Sequence, residues 1–502
     1  MGGNLFKEVM RILIPSNLDI NEILLETGLS KRVYRGLKSK IYYLISRLMV
    51  HHYNQDNFDD DGHIRICRSE LQKIFNRHYS VVIRTLKRMR VIQVENGYIK
   101  GITCKKYRLY DEYQNTDINY KTIQKVKTEK PNETILLDAF FNDRLTIDTG
   151  YNETLKEVTN RVKPYLKTER ETLILKNKMG KWLSTINDIE NKMYWYKKST
   201  SNYRYNTNIT NLTKVLRGNL RYNQSPLVQV DIKASQIYLL ASILNYNFFK
   251  SYNSISFQTL TKHMVIPKSN LNPKHYMFSP LMWAHFLKMD LKEVVKNDYK
   301  DHPEFQRFRD AGFEGDFYSQ LFQLEYGVLP SKEQRNEIKK DVMYVLFQNN
   351  RAHRKKIHGV FLLRRHYPFI ERSILSIIDG MGSTNFALLL QRFESVMILD
   401  NVVPEFHKAC PEAPIFTIHD SVITTPEYGS ELQKVMYDVL YKSTGIKPGL
   451  SLEYLDSKKE ITDEFIQKLL GDIRKKSSDR NFKKMKWSIL DRHIQLANQY
   501  FN

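Results

Sequence analysis

The sequence predicts an α+β fold of several domains, and three observations indicate this class. The chain has 502 residues, which at roughly 150 residues per domain corresponds to about three domains. Its hydrophobic fraction is 41 %, enough to build real cores. Stretches with helical spacing of apolar residues are interspersed with shorter stretches that alternate like strands. We therefore expect a globular protein in which helices and strands are mixed.

The charge of the chain indicates a class of partner. Lys and Arg number 78 and Asp and Glu number 55, which gives a formal net charge of +23. A positive field of this size attracts polyanions, so nucleic acid is the leading partner class. General basic character without a nucleic-acid function is the alternative that charge alone leaves open.

Cysteine usage and hydropathy exclude several classes. The three cysteines, Cys67, Cys104 and Cys410, have no paired spacing, so we expect neither a disulfide framework nor a Cys-rich zinc site. The longest apolar run, residues 237–244, is far shorter than the roughly 20 residues of a membrane span. We expect a reducing compartment and no membrane partner, with the protein cytoplasmic, or nuclear in a eukaryotic host.

Residues 1–50 are predicted to form a helical lead-in. Ile41, Leu44, Ile45 and Leu48 recur at helical spacing among basic residues, which is the pattern of an amphipathic helix.

Residues 51–112 have the order of elements of a winged-helix module. We predict a strand over residues 64–67, a helix beginning at Ser69, a second helix over 81–90, and two strands over 91–95 and 99–109 that are joined near Asn96 and Gly97. The second helix carries Arg84, Lys87 and Arg88, which we expect to contact nucleic acid. A winged helix used for protein contacts or packing is the alternative.

The remaining chain divides into three predicted regions. Residues 113–193 are polar with helical periodicity and are interpreted as a helical linker or thumb-like region. Residues 194–430 hold the motifs described below. Residues 431–502 form a basic helical C-terminal region, with seven of its cations within residues 474–486.

Two carboxylates are placed where a metal site can form. Asp231 ends an alternating apolar strand and is followed by an apolar helix, and Asp420 lies at the tip of a predicted hairpin. Two acids brought together repel each other unless cations lie between them. The pair therefore indicates a divalent metal site with two Mg²⁺ ions about 3.5–4 Å apart, or Mn²⁺ in their place.

A helix between these two strands has the polarity that a nucleoside triphosphate requires. Ser331 and Gln334 form a capping-box pattern at its start. Arg335, Lys339, Met343 and Phe347 then recur every four residues along one stripe, cationic at one end and apolar at the other. Cations suit the phosphates and flat apolar groups suit the base and sugar. A partly buried amphipathic helix with solvated cations is the alternative.

These segments, taken together, resemble the catalytic motifs of the family A polymerase superfamily, which joins family A DNA polymerases to phage and mitochondrial single-subunit RNA polymerases. Asp231 with Ser235 and Ile237 is similar to the first motif, and His419, Asp420 and Ser421 are similar to the last. The stripe matches the nucleotide-binding helix, and Asp316, Phe317 and Tyr318 resemble the segment before it. The resemblance covers about residues 200–425.

The resemblance implies a right-hand polymerase core in which the strands of Asp231 and Asp420 form the palm and residues 246–400 supply the fingers and support helices. It implies roles for the following residues: metal ligation by Asp231, Asp420 and Ile232; nucleotide binding by Arg335, Lys339, Met343, Phe347, Tyr318 and Gln236, with Lys339 also catalytic; and nucleic-acid binding by Arg204, Asn211, Gln391, Arg392 and His419, with Glu394 beside them on the primer side.

The sugar specificity stays open. Ser421 stands where family A DNA polymerases usually carry Glu, which leans toward the RNA-polymerising branch, as do Asp316 and Met343. Gln236 between Ser235 and Ile237 resembles the DNA-polymerising branch, and Phe347 lacks the hydroxyl expected beside a ribose.

The resemblance implies template-directed addition of nucleotides to a 3′-hydroxyl, with release of pyrophosphate, by a compact polymerase of a phage or mobile element. Its partners are a DNA template, a primer or nascent strand, and nucleoside triphosphates, and we expect a monomer. The alternative is a non-catalytic replication initiator or transcription regulator that binds DNA through the winged helix.

Overall fold

The computed structural model describes residues 9–54, 63–95, 104–114, 116–124, 136–244, 260, 264, 303–314, 316–348, 357–478 and 497–501. Helices and antiparallel sheets are mixed along this part of the chain, as expected for an α+β protein. The chain divides into two compact units. The first comprises Met1–Trp195, Asn211–Gln224 and Asp456–Asn502, and the second comprises Tyr196–Thr210 and Ser225–Leu455.

The helices and strands are numbered here in chain order. Up to residue 244 they are β1 (Val9–Pro15), α1 (Ile20–Glu26), α2 (Lys31–Asn54), β2 (Ile64–Ile66), α3 (Arg68–Phe75), α4 (Tyr79–Arg88), β3 (Ile92–Glu95), β4 (Lys105–Leu109), α5 (Asp111–Gln114), β5 (Ile118–Gln124), β6 (Leu145–Ile147), α6 (Tyr151–Val162), α7 (Glu169–Glu190), β7 (Tyr196–Lys198), β8 (Tyr205–Thr207), α8 (Asn208–Asn211), α9 (Lys214–Arg217), β9 (Leu220–Tyr222), β10 (Ser225–Pro226), β11 (Val228–Ile232) and α10 (Ser235–Leu244). From residue 303 they are α11 (Pro303–Glu314), α12 (Phe317–Tyr326), α13 (Lys332–Phe347), α14 (His358–His366), α15 (Pro368–Met381), α16 (Ser383–Ser395), α17 (Val403–Ala409), β12 (Phe416–Ile418), β13 (Ser421–Thr424), α18 (Pro426–Thr444), β14 (Leu450–Tyr454), α19 (Ser457–Glu460) and α20 (Asp463–Ser477).

The N-terminal segment begins with a strand, which corrects the prediction that residues 1–50 are a helical lead-in throughout. β1 pairs antiparallel with β5, in a register that places Val9 opposite Gln124 and Pro15 opposite Ile118. The partner strand lies more than 100 residues further along the chain, so local periodicity could not reveal it. The helices α1 and α2 follow, and the Asp19 side chain caps α1 by accepting from the backbone of Asn21 and Glu22.

The elements predicted between residues 64 and 109 occur close to their expected positions. β2, β3 and β4 form a three-stranded sheet in the order β2-β4-β3. α4 ends at Arg88 instead of residue 90, and Arg90 adopts a left-handed backbone with φ of 56°. Buried side chains such as Ile74, Val82 and Leu86 join α3 and α4 in one core. The turn at Asn96 and Gly97 lies outside the described residues.

Cys67 and Cys104 form a disulfide with a Cα–Cα distance of 4.7 Å, which corrects the expectation that the cysteines are unpaired. The strand register explains this pairing. Ile66 at the end of β2 lies opposite Lys105 at the start of β4, so Cys67 and Cys104 occupy the next pair of positions. Sequence spacing alone does not show this, because register is a property of the folded sheet.

The C-terminal residues belong to two different units, which revises the predicted boundary at residue 430. That position lies inside α18, and β14 pairs with β11 in the second unit. α19 and α20 belong to the first unit, where Lys178 of α7 donates to Asp472 of α20 at 2.9 Å. Region 113–193 and the part of region 431–502 from Asp456 onward therefore belong to the same unit instead of forming separate domains. Residues 479–486 of the basic segment lie outside the described residues.

A four-stranded antiparallel sheet organises the second unit, in the order β12-β13-β11-β14. Val228, Val230 and Ile232 of β11 are buried, whereas Gln229 and Asp231 between them are half-buried on the opposite face. α18 packs on the Val228 face, where a Cβ at Gly429 would lie 3.1 Å from Val228 Cγ2 and 3.2 Å from Leu452 Cδ1. Glycine at position 429 thus permits the close approach of α18, and Asp231 is directed away from that helix.

Helices α11 to α16 supply the described part of the predicted fingers region, residues 246–400. Within it α13 packs against α12, α14 and α16, and α16 also contacts α10. Among the described helices, none is by itself both long and apolar enough to cross a membrane; one bent pair, Pro368–Asp379 with Ser383–Ala409, meets the length and composition criteria together.

Candidate active site

Asp231 and Asp420 lie at the same end of the sheet of the second unit. Asp231 is the fourth residue of β11 and stands opposite Ser421 of β13 and Ser451 of β14. Asp420 immediately precedes Ser421 in the turn between β12 and β13. Both aspartates are half-buried. Opposed residues of antiparallel strands have Cβ atoms about 4.5–5.5 Å apart, so Asp231 lies beside Ser421, the residue that directly follows Asp420.

Left-handed backbone conformations occur next to Asp420, three residues after Asp231, and directly before Arg204. His419 in the hairpin has φ of 56°, Ala234 between β11 and α10 has φ of 48°, and Tyr203 before Arg204 has φ of 60°. Each conformation is costly for a residue with a Cβ, and such residues persist only where the surrounding structure holds them. Strained backbone conformations of this kind are common at functional sites.

Glu394, near the C-terminal end of α16, is the third carboxylate of this neighbourhood. Its side chain is 1 % exposed and accepts hydrogen bonds from Arg204 Nη2 at 2.7 Å, Arg204 Nε at 3.0 Å and Gln236 Nε2 at 3.1 Å. Burial and the negative charge of Asp420 raise the pKa of Glu394, while Arg204 and Gln236 lower it, and the result of these effects together is a pKa of about 7. Glu394 therefore lies within electrostatic reach of Asp420.

The sequence placed Glu394 beside the primer, and the structure shows its internal partners. The signal that pointed to this position is the resemblance of its helix to the helix before the last motif of the family A polymerase superfamily. The sequence does not show that Arg204 and Gln236, which were assigned to nucleic acid and nucleotide, both donate to this one carboxylate. Gln236 Oε1 is buried and has no hydrogen-bond partner among the described residues, so an acceptor oxygen is left over at the site.

Gln391 and Arg392 on α16 hold the segment before Arg204 in place. Arg392 is 5 % exposed and donates to the carbonyl oxygens of Ser201 at 2.6 Å and Leu260 at 2.8 Å. Its guanidinium also lies 4.7 Å from the centre of the Tyr203 ring. Gln391 accepts from Asn202 Nδ2 at 3.3 Å. These contacts assign both side chains a positioning role in the structure, and contact with nucleic acid stays a prediction for them.

The predicted nucleotide-binding stripe lies on the accessible side of α13. Arg335 and Met343 are half-buried and Lys339 and Phe347 are exposed, whereas Ile338, Val342, Val345 and Leu346 are buried on the other side. The predicted capping box is confirmed: Ser331 Oγ accepts from the Gln334 backbone at 3.3 Å, and Gln334 Oε1 accepts from the Ser331 backbone at 2.8 Å. Phe347 is the last residue of the helix, because Gln348 is extended.

The cationic end of the stripe is arranged around Tyr318 and Asp316. Arg335 Nε donates to Asp316 Oδ1 at 2.7 Å. The Arg335 and Lys339 cations lie 5.6 and 5.9 Å from the centre of the Tyr318 ring. Tyr318 is 1 % exposed, and its hydroxyl has no hydrogen-bond partner among the described residues. Burial raises the pKa of Tyr318 despite the charge of Arg335, so this hydroxyl keeps its proton.

Asp316 gives the cationic end a fixed geometry. Its side chain also caps α12 by accepting from the Ser319 backbone at 3.4 Å. Burial alone would raise the pKa of Asp316, but the hydrogen bonds from Ser319 and Arg335 and the Arg335 charge hold it below its usual value. Arg335 is thus anchored at one nitrogen, while its side chain is still 31 % exposed.

The donors at the aspartate pair suit a hard divalent cation. Carboxylate oxygens are ligands that Mg²⁺ prefers, and Mg²⁺ commonly uses one or two carboxylates with waters and substrate phosphates. Ile232 has a buried, apolar side chain, which is 2 % exposed and cannot ligate a metal. Only its main-chain carbonyl is a candidate ligand. In the part of the chain that the structure describes, no group of three or more His, Cys, Asp and Glu side chains is placed to hold a metal ion. The residues fit an open site that substrate completes, not a closed protein cage.

The other residues predicted to contact nucleic acid lie in both units. Arg84, Lys87 and Arg88 of α4 are exposed in the first unit, where Arg88 pairs with Glu26 at 2.5 Å. Asn211 is exposed at the end of α8 and belongs to the first unit. His419 is half-buried in the hairpin of the second unit.

Comparison with known proteins yields one solved structure to describe. No family model matches the sequence, and no curated protein matches it. A solved structure with some similarity is the POL domain of Pol1 from M. smegmatis in complex with a DNA primer-template and dNTP. It is 11 % identical, and the alignment covers 63 % of this chain and 68 % of that one with a TM-score of 0.27. A TM-score at this level does not establish a common fold.

Proposed function

We propose that this chain is a template-directed nucleic-acid polymerase that transfers nucleotides to a 3′-hydroxyl and releases pyrophosphate. The observation that carries this proposal is the register of β11 and β13, which brings Asp231 and Asp420 to one end of an antiparallel sheet, beside the buried Glu394. A carboxylate pair on rigid strands is the arrangement that nucleotidyl transfer requires. The sheet corresponds to a palm, and the helices from α11 to α16 correspond to fingers.

Asp231, Asp420 and the carbonyl of Ile232 would hold two Mg²⁺ or Mn²⁺ ions. When bound, such ions activate the attacking hydroxyl and stabilise the leaving pyrophosphate. Glu394 is not assigned to the metal ions in this proposal, since it accepts hydrogen bonds from Arg204 and Gln236. Its function in the proposal is to fix those two side chains next to the hairpin of Asp420.

The stripe on α13 binds the incoming nucleotide in this proposal. Arg335, oriented by Asp316, and Lys339 neutralise the triphosphate, and Lys339 donates a proton to the departing pyrophosphate. Met343 and Phe347 provide the apolar surface for base and sugar. Tyr318 and Gln236 are also assigned to the nucleotide, and the Tyr318 hydroxyl and Gln236 Oε1 are buried polar atoms without a hydrogen-bond partner among the described residues.

Template and primer are assigned to the residues around the aspartates and to the N-terminal module. Arg204, Gln391, Arg392 and His419 of the second unit are proposed to line the duplex, and Asn211 of the first unit is also proposed to contact nucleic acid. β2, α3, α4 and the β3–β4 ribbon have the order of a winged helix, with Arg84, Lys87 and Arg88 on its second helix facing nucleic acid. We further propose a cytoplasmic monomer of phage or mobile-element origin that leans toward the single-subunit RNA polymerase branch.

Extension of a labelled primer tests the proposal. The full chain is incubated with Mg²⁺ and a primed DNA template, in parallel with four deoxynucleotides or four ribonucleotides, and each set is repeated without primer. Synthesis with one set identifies the product, and primer-free ribonucleotide products indicate transcription or priming. Asp231→Asn and Asp420→Asn should each abolish synthesis, with template binding retained. Full synthesis by either variant would contradict the assignment.

A non-catalytic DNA-binding initiator or regulator is the second candidate. The observation that favours it is the exposure of Arg84 and Lys87 on α4, where a winged helix contacts the major groove. This candidate predicts sequence-specific duplex binding that Arg84→Ala and Lys87→Ala weaken, together with no incorporation of nucleotides under any of the conditions above.

A further inference from the structure

A groove of about 540 Å³ lies in the second unit, between α18, the start of β14 and Phe313. Lys233, Gln433, Lys434 and Tyr437 line it together with Phe313, and no acidic residue is among its lining residues in the described part of the chain. Lys233 is fixed to the groove wall, because its backbone N–H donates to the Gly449 carbonyl at 2.9 Å. The groove therefore combines cations with aromatic rings on a supported backbone.

The groove is separate from the aspartate site. α18 packs on the face of the sheet that carries Val228 and Leu452, and the groove is lined by α18. Asp231 lies on the opposite face of β11. The part of the groove that α18 lines therefore lies on the face of the sheet opposite the Asp231 side chain, although its lining residue Lys233 directly follows Ile232 in the chain.

The rings and cations of the groove are accessible and continue beyond it along α18. Phe313 is 37 % exposed, and the Lys447 cation lies 5.6 Å from the centre of its ring. Tyr437 lies one helical turn from Tyr441, with ring centres 6.2 Å apart and tilted by 34°, and Tyr441 is 44 % exposed. A single small ligand would not need the exposed rings that continue along α18 beyond the groove. A chain of stacked groups would use them.

We propose that this groove is a second binding site, for single-stranded nucleic acid. Lysines spaced along a groove neutralise successive phosphates, and exposed aromatic rings stack on bases without sequence preference, since every base has a π-face. An acidic peptide would use the lysines but gain little from the rings. The site goes beyond the proposed polymerase activity, and it holds a strand whether or not the aspartate site is active.

Photocrosslinking locates the site directly. A single-stranded oligonucleotide of DNA, and one of RNA, each carrying 5-iodouracil, is irradiated with the full-length protein and the crosslinked peptides are mapped by mass spectrometry. Crosslinks at Phe313, Tyr437 or Tyr441 are expected, including in the Asp231→Asn variant that lacks synthesis. Crosslinks confined to other regions, or displacement by polyglutamate as effective as displacement by unlabelled oligonucleotide, would overturn the proposal.

A matched pair of lysines isolates the contribution of charge. Lys434 pairs with Glu431 at 3.7 Å with its side chain 69 % exposed, and Lys408 pairs with Glu405 at 4.0 Å with its side chain 79 % exposed. Both pairs have the same helical spacing, but only Lys434 lines the groove. We expect Lys434→Ala to lower crosslinking at the groove about threefold and Lys408→Ala to leave it unchanged.

The aromatic contribution is isolated in the same way. Phe313→Ala should lower crosslinking to Tyr437 and Tyr441 about tenfold, because stacking is lost, whereas truncation of the exposed Phe361, at 53 % exposure, should not. Thermal midpoints and circular dichroism of all four variants show whether they are folded. Equal effects of groove and control variants in folded protein would exclude the site.

Discussion

Arg204 and Glu394 lie 190 residues apart in the chain and form an ion pair in the second unit, in which Arg204 Nη2 and Nε both donate to Glu394 Oε1, at 2.7 and 3.0 Å. Glu394 is almost fully buried, and the Arg204 side chain is 20 % exposed. The second oxygen of Glu394 binds Gln236, five residues after Asp231. One buried carboxylate thus joins the segment before β8, the helix after β11 and the helix α16.

Removal of Arg204 should destabilise the protein strongly. Arg204→Met leaves Glu394 buried without its main partner, which costs about 3 kcal/mol. In the double variant Arg204→Met with Glu394→Gln no buried charge is left unpaired, so we expect at least half of the loss to be recovered. Urea unfolding of the wild type, both single variants and the double variant measures the coupling. Additive effects of the two substitutions would show that the pair does not interact energetically.

Lys339 should matter for the chemical step far more than its neighbour. Lys339→Ala is expected to lower the kcat of nucleotide addition about 100-fold, the usual size of a general-acid contribution. Lys340→Ala removes the same charge from the next position of α13, which is also exposed but lies off the stripe, and should change kcat less than twofold. Single-turnover incorporation with both variants makes the comparison. Equal losses of kcat in the two variants would mean that the total positive charge of the helix, and not the position of Lys339, determines the rate.

The parts of the site that local patterns determine could be predicted from the sequence. The alternation of Val228, Val230 and Ile232 fixes which face of β11 is buried and therefore that Asp231 is directed away from the core. Likewise the capping box at Ser331 and the hairpin that holds Asp420 depend on residues a few positions apart.

The contacts that depend on tertiary register could not be predicted. The partner of β1 is β5, the Cys67–Cys104 disulfide follows from the register of β2 and β4, and β14 pairs with β11, a strand more than 200 residues earlier in the chain. The Arg204–Glu394 contact is of the same kind, because no local periodicity relates residues on separate elements. The sequence therefore identified the residues whose side chains can bind a metal, a nucleotide or a phosphate. It did not show which of these side chains pair with one another in the fold.

Gly218 should be intolerant of any side chain, and Gly471 should accept one. A Cβ at Gly218 would lie 2.6 Å from Ser457 Oγ and 2.8 Å from the Asp456 carbonyl carbon, whereas a Cβ at Gly471 meets nothing within 4 Å. We expect Gly218→Ala to destabilise the first unit by about 1–3 kcal/mol through overpacking. Gly471→Ala, in the middle of α20, should stabilise it by about 0.5–1 kcal/mol. Urea midpoints of both variants provide the measurement, and a neutral Gly218→Ala would contradict the close packing against residues 456–457.

Asp188 should make the stability of the protein fall as the pH rises from about 4 to about 8. Burial raises the pKa of this carboxyl from 3.8 to about 8, and its place in the last turn of α7 is unfavourable for an anion. Below pH 4 the side chain is protonated in both the folded and the unfolded state. As the pH rises, the unfolded chain releases the proton first, so the stabilisation present at low pH is lost progressively up to the folded pKa.

Asp188→Asn removes this titration and keeps the size of the side chain. Relative to the wild type, the variant should therefore gain stability between pH 5 and pH 8, with little difference at pH 4. Glu190→Gln is the matched control, since it removes one acid from the exposed end of the same helix. Urea unfolding of the three proteins at pH 4, 5, 6, 7 and 8 provides the test. If the Asp188→Asn variant follows the pH profile of the wild type, Asp188 is charged in the folded protein and its burial does not control the stability.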